Sequence, residues 1–222
     1  MSRLPLPPPR PVVHPMRELG SAVTAVQELP GHRRRLTIDH RPLSGITPDM
    51  LRWWFSHIGG DMSYADDRVP RYRVWHPLDH IHWELVRAAP GGGAGEGARF
   101  RIVEAFQQRP EFYVDTTDTV EKLDETGIRL VRRIAGVQVL QLEHTWSRGD
   151  DGTHYVSVLD IGARARIFRP VNRYLNQRKF PLAMARAWLR HNVEEVGLLE
   201  HFLPALHAEH VERAGDRTLS PA

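Results

Sequence analysis

AWLRHNVEEVGLLEHF, from Ala187 to Phe202, carries the periodicity on which the fold turns. At about 100° per residue, Met184, Trp188, His191, Glu195, Leu198 and Phe202 fall within about 40° of one line. Leu189, Val196, Leu199 and Leu203 widen that apolar arc, and Arg186, Arg190, Glu194, Gly197 and His201 make the opposite, wet face. His191 and Glu195 therefore stand where the pattern asks for leucine. Burying an imidazole and a carboxylate costs several kcal/mol unless each finds a partner, on the order of 2–7 kcal/mol for a polar group alone. Their i, i+4 spacing lets two side chains hydrogen-bond each other or grip one ion. On this helix alone both readings stand.

The rest of the chain supplies what such a helix packs against. Residues 1–30 are Pro-rich and weakly patterned, and they read as a flexible extension. Thr47-Pro48-Asp49 opens a helix through MLRWWFSHI, with Thr47 as N-cap and Pro48 at the first position, and Gly59-Gly60 ends it. Short alternating runs fill 72–168, punctuated by GGGAGEG (91–97) and SRGDDG (147–152). The final helix is expected over 181–206, and 209–222 as a flexible tail. A helix, a run of antiparallel strands and one long amphipathic helix predict an α+β fold. In it a curved antiparallel sheet wraps around the long C-terminal helix, the helix-grip arrangement, over 31–208 with a cavity between sheet and helix.

The same test on the strands, where one face takes every second residue, finds more intruders. Phe100, Ile102, Glu104 and Phe106 share a face, as do Leu140, Leu142, His144 and Trp146, and as do Tyr72, Val74 and His76. HPLDHIHWE (76–84) is ambiguous: a strand groups His80, His82 and Glu84, whereas a helical turn pairs His76 with His80. One misplaced polar residue is ordinary; several elements each carrying one point to a single polar centre inside the cavity. His80, Glu104, His191 and Glu195 supply two nitrogens and two oxygens, a set suited to Zn²⁺, with Mn²⁺ or Fe²⁺ as alternatives. A buried hydrogen-bond network is the competing account.

Composition narrows the classes. There are no cysteines, so thiolate metal sites and disulfides are excluded. The net charge of +3 is spread rather than gathered, which argues against nucleic acid. Arg33-Arg34-Arg35 reads as an exposed strand edge or loop. No apolar run approaches the ~20 residues of a membrane helix, and MSRLPLPPPRPVVHP lacks an apolar signal-peptide core. A cytoplasmic protein is expected.

The chain also resembles a known family, the 2,4-diacetylphloroglucinol hydrolases and phloretin hydrolases. The likeness rests on Trp53–Phe55, on Y-x-x-W-H-P-x-D-H from Tyr72 to His80, and on isolated Glu104. It continues through E-H-x-W at 143–146 and H-x-x-x-E at 191–195, and spans about 45–205. It implies a Bet v 1-like catalytic domain holding zinc and hydrolysing the carbon–carbon bond between an acyl group and a phloroglucinol-type ring. By motif, His80, Glu104, His191 and Glu195 would be the zinc ligands, His144 the further active-site histidine, and Tyr72 a substrate contact with a catalytic part. Tyr155, at a shifted spacing, and Trp83 complete the expected substrate contacts. The resemblance implies an aromatic ketone as substrate and a homodimer. This chain is shorter in the N-terminal portion that builds the family's dimer and pocket, and several loops are shorter. Two carboxylate ligands would cancel the ion's charge and acidify its water less than three histidines do, which makes a nearby base useful; His144 is the candidate. Four protein ligands imply five-coordination or one loosely held ligand. The alternative is a non-catalytic helix-grip binder of a hydrophobic aromatic or polyketide ligand.

Overall fold

Eight antiparallel strands make one sheet in the order β1-β2-β10-β9-β8-β7-β6-β5. They are β1 (Val23–Leu29), β2 (Arg33–Asp39), β5 (His80–Arg87), β6 (Arg99–Ala105), β7 (Tyr113–Asp124), β8 (Gly127–Ile134), β9 (Val137–Gly149) and β10 (Gly152–Ile161). β3 (Asp61–Tyr64) and β4 (Asp67–Pro70) form a separate hairpin; α1 (Pro48–Ser56), α2 (Arg71–Trp75), α3 (Arg169–Tyr174) and α4 (Leu182–Leu219) are the α-helices among the described residues. This computed structural model describes residues 3–219, with the side chains of 214 and 216–219 excepted. Irregularities between His80 and His82, Leu85 and Arg87, Val120 and Lys122, and Arg132 and Arg133 bend the strands. The sheet curls around α4, as the helix-grip expectation requires.

α1 forms where its capping signals lie. Thr47 Oγ1 accepts from Met50 N–H at 3.3 Å and Pro48 occupies the first turn. Its apolar stripe, Leu51, Trp53, Trp54 and Phe55, is buried against α4 and the sheet. Trp54 meets Phe202 at 5.1 Å and Trp75 at 5.7 Å between ring centroids.

Four sequence expectations meet a different structure. The boundary at residue 30 falls inside a hairpin, since Val23–Leu29 pairs with Arg33–Asp39. Arg33-Arg34-Arg35 is accordingly no edge or loop: β2 lies between β1 and β10, and alternation turns Arg34 inward with Leu36 and Ile38. There Arg34 bonds the Phe180 carbonyl at 3.0 Å. Residues 71–75 form a helical turn rather than a strand, so Tyr72, Val74 and His76 do not share a strand face. The helix expected to end at Leu206 runs on to Leu219, which takes up most of the stretch read as a tail; residues 1–2 and 220–222 lie outside the described residues.

α4 is also buried more completely than its amphipathic pattern implies. Every residue from His191 to Leu199 is buried, including Glu194 and Gly197 of the expected wet face. The N-terminal segment covers them. Arg10 N–H bonds the Pro77 carbonyl at 3.1 Å, Val13 N–H the Tyr64 hydroxyl at 3.2 Å, and Leu4 N–H the Tyr113 hydroxyl at 3.0 Å. Arg17 crosses over Gly197, donating to the Arg41 and Pro42 carbonyls and pairing with Glu200 at 2.8 Å. A Cβ at 197 would overlap Arg17 Cδ and Cγ. Alanine favours a helix over glycine by about 1 kcal/mol, whereas overpacking costs about 1–3 kcal/mol. Because Arg17 is pinned at three points, the overlap dominates. Gly197→Ala is expected to lower stability by about 1 kcal/mol in urea unfolding. The same change in an Arg17→Ala background is expected to raise it, and additive effects of the two substitutions would contradict this packing. No helix among the described residues is long and apolar enough to cross a membrane.

Candidate metal centre and cavity

His80 and Glu104 face each other across β5 and β6 in directly paired positions, while His191 and Glu195 come from successive turns of α4. His80 Nε2 lies 3.2 Å from Glu195 Oε2 and 3.5 Å from Glu104 Oε1; His191 Nε2 lies 3.7 Å from Glu195 Oε2 and 4.0 Å from Glu104 Oε2. Zinc bonds of about 2.0–2.1 Å at tetrahedral angles place neighbouring ligand atoms about 3.3 Å apart. His80, His191 and Glu195 each offer one donor atom within 4.8 Å of the others, and Glu104 stands beside them, turning Oε1 to His80 and Oε2 to His191.

The second nitrogen of each ring says which way the first faces. His80 Nδ1 lies 2.7 Å from the Tyr72 carbonyl, which can only accept, so Nδ1 carries the proton. Nε2 then turns its lone pair toward two carboxylates, fully buried and without the alignment of a hydrogen bond to either. His191 Nδ1 is 3.0 Å from Asp79 Oδ2. Asp79 in turn accepts from Gln107 N–H at 3.0 Å and Gln108 N–H at 3.2 Å, both residues at positive φ. This carboxylate–imidazole pairing is the kind that orients metal-binding histidines. Tyr72 stacks on His80 at 3.9 Å between centroids and donates its hydroxyl to Glu104 Oε1.

Without an ion the cluster holds its charge on few groups. Burial pulls His191 down, but Glu195, the Asp79 hydrogen bond and Glu104 outweigh it and raise it to about 9. Burial holds His80 down at about 4. Burial pushes both glutamates up; it prevails at Glu104, whereas His191 and His80 draw Glu195 well below the carboxylate range. Burial and Glu104 raise Tyr72, which stays a phenol.

The cluster opens on a cavity of about 100 Å³ whose walls include Phe55, Tyr72, Trp83, Ile102, His144 and Leu142. His144 stacks beside Phe55 at 5.9 Å between centroids. Its Nδ1 lies 2.9 Å from Ser157 Oγ, itself 3.0 Å from His40 Nε2. Burial holds His144 at about 4, with Glu195 pulling the other way.

Two expectations are corrected here. Tyr155 points to the concave side of the sheet but does not line the cavity; it is enclosed by His40, His144 and Trp146 with ring centroids at 5.4, 5.4 and 5.9 Å. The grouping of His80, His82 and Glu84 fails because the bulge after His80 changes the strand's parity. Trp83 and Leu85 follow His80 inward, opposite Ile102 and Phe100, leaving His82 and Glu84 outward.

Two features extend the expected site. His76 lies 3.3 Å from Glu194 and accepts from Asp79 N–H at 3.1 Å, so Asp79 and Glu194 connect through it behind His191. The other is Thr116, Asp118 and Arg132 on the cavity wall. Alternation carries that signal, since Val114, Thr116, Asp118 and Val120 share the concave face of β7, and Ile128, Leu130 and Arg132 that of β8.

No family model matches this chain, and no curated protein matches it. Among solved structures it is similar to protein Ms6760 from Mycobacterium smegmatis, with 12% identity, 84% of this chain and 99% of that chain covered, and a TM-score of 0.48. It is similar to a START superfamily protein from Mycobacterium smegmatis, with 12% identity, coverage of 74% and 94%, and a TM-score of 0.44. It is also similar to Ara h 8.0201, with 12% identity, coverage of 72% and 97%, and a TM-score of 0.39.

Proposed function

We propose that the chain is a metal-dependent hydrolase that cleaves the carbon–carbon bond between an acyl group and a phenolic ring, with zinc held by His80, Glu104, His191 and Glu195. One observation carries the metal: the His80 Nε2 lone pair faces two carboxylates, an arrangement that repels unless a cation or a proton lies among them. The donor set, two imidazoles and two carboxylates, fits zinc and also admits manganese or iron.

A bound ion of this kind polarises a ketone carbonyl and makes a water nucleophilic near neutral pH. The chain's own groups supply the rest. Tyr72 spends its proton on Glu104, fixing that carboxylate, and keeps lone pairs that accept from a ring hydroxyl beside the acyl group. That hydroxyl lets the ring take its keto form, so the bond to be broken becomes that of a β-diketone. His144, neutral at pH 7, takes a proton from the attacking water and returns it to the ring oxygen left as an enolate when the aryl–acyl bond breaks, the ring carbon keeping the hydrogen it gained in the keto form. The products are a carboxylic acid and the deacylated phenol. The apolar walls around Phe55, Trp83 and Leu142 seat the ring and exclude bulk water.

Protein purified without a histidine tag is expected to carry about one zinc per chain and to release free carboxylic acid from a diacylphloroglucinol. His144→Ala is expected to keep the metal and lose turnover by about 10²–10⁴-fold; undiminished turnover would remove His144 as the base. A second reading, a carrier that binds a hydrophobic aromatic ligand without turning it over, is favoured by the largely apolar walls. Folded protein that takes up no divalent metal yet binds the ketone supports the carrier and sinks the enzyme.

A further inference from the structure

Asp118 is an oddity in this cavity. It is 4% exposed on a concave face whose neighbours are Phe100, Val120 and Leu130, and it pairs with Arg132 from the adjacent strand. Cross-strand ion pairs elsewhere in the sheet, such as Arg101–Asp115 and Arg129–Glu143, alternate to the outer face. A pair turned inward adds little stability, because desolvation offsets its attraction.

Its hydrogen bonding is also incomplete on the cavity side. Asp118 Oδ1 accepts from Thr116 Oγ1 at 2.8 Å and from Arg132 Nε at 2.9 Å, whereas Oδ2 has only a long contact of 3.4 Å to Arg132 Nη2. Arg132 Nη1 has no protein partner among the described residues. An acceptor and a donor therefore stand side by side with capacity left over. Asp118 is paired with Phe100, four residues along β6 from Glu104. At about 3.3 Å per residue the two backbone positions are offset by roughly 13 Å along the strands. Glu104, Asp118 and Arg132 line the same cavity, so a ligand that fills it lies between the two ends.

We propose that Asp118 and Arg132 form a second polar subsite that reads a neutral hydroxyl on the far side of the ligand ring from the ketone. A hydroxyl satisfies both groups, donating to Asp118 Oδ2 and accepting from Arg132 Nη1. A carboxylate does not, since Asp118 already cancels the guanidinium charge and would repel it. This rests on the cavity being the ligand site, which both readings above share, and it does not depend on the metal.

The test uses two probes of nearly equal size, 2,4,6-trihydroxyacetophenone and 2,6-dihydroxy-4-methylacetophenone, with dissociation constants measured by calorimetry on metal-free protein, which binds them without turnover. The wild-type chain is expected to prefer the trihydroxy probe at least 10-fold, on the order of what a charged hydrogen bond contributes. Asp118→Leu combined with Arg132→Met replaces the pair by apolar groups, the unbranched methionine following most of the arginine's length, a change buried ion pairs tolerate, and is expected to reverse the preference. Asp118→Asn, which keeps the shape, is expected to reduce it and serves if the double variant does not fold. Equal binding of both probes by wild type, or an unchanged ratio in the variants, overturns the subsite and leaves the cavity reading intact. Failure of wild type to bind either probe overturns both.

Discussion

Replacing His191 with alanine is expected to leave the protein without stoichiometric metal and without turnover. The ring does two things at once: its Nδ1 meets Asp79 at 3.0 Å, and its Nε2 faces Glu104 and Glu195. Its loss removes one of four donors. It also leaves Asp79 and Glu195, both buried, without their cationic neighbour. Breaking a buried pair from one side costs about 3–5 kcal/mol, because the remaining charge stays desolvated. The metal-free variant should therefore unfold at distinctly lower urea than metal-free wild type. Glu200→Ala serves as a control: Glu200 lies further along the same helix, accepts from Ser44 N–H and pairs with Arg17 rather than with the cluster. It should lose stability and keep the metal. Mass spectrometry of metal content after gel filtration decides; full zinc occupancy in His191→Ala counts against the ligand assignment.

Acid is expected to destabilise the metal-free protein well before the ordinary carboxylates titrate. His144 and His40 are buried, joined through Ser157, and held down to about 4 and about 3, burial being the first cause for each. Below pH 6.5 the unfolded chain binds protons that the folded one refuses, so stability falls as pH falls from 6.5 toward 4. For His144 alone the full loss is about 3 kcal/mol. Glu104, held up in the folded state, works in the opposite sense between its raised value and 4.5, and offsets part of the fall. His191, held up at about 9, contributes fully throughout this window and loses its contribution only above it. A urea midpoint that declines from pH 7 to pH 4.5 is the gross readout. Histidine ring shifts in NMR give the specific one: His40 and His144 should not titrate above pH 5. Either of them titrating near 6.5 would refute this account.

Much of the candidate site was legible because strand and helix periods are simple. Glu104 on FRIVEAF and the pair His191 and Glu195 on α4 interrupt apolar faces, and those faces meet around one point. His144 interrupts another and lines the same cavity. Asp118 and Arg132 obey the same alternation on β7 and β8, so their inward position was readable as well. What resisted reading is specific. The bulge after His80 changes the parity of β5, and HPLDHIHWE has no local feature that announces it. Tyr155 has the right parity, yet its neighbours Trp146 and His40 seal it off, which depends on how far along the strand the cavity extends. Glu194 sits on what the helix pattern makes a wet face, and the N-terminal segment buries it.

By itself the sequence determined the elements that local periodicity and capping control: α1 behind Thr47-Pro48, the strands of the sheet's second half, and a long helix with two polar residues on its inner face. Only the tertiary structure decided which nitrogen of each histidine faces the cluster, that Asp79 braces His191, and that the N-terminal segment packs onto the domain, with His14 and Arg17 lying over α4, rather than apart from it. The physical reason is range. Side-chain direction within an element follows from backbone geometry a few residues long, whereas a hydrogen bond between His191 and Asp79, or a salt bridge between Arg17 and Glu200, joins positions whose approach no local pattern encodes.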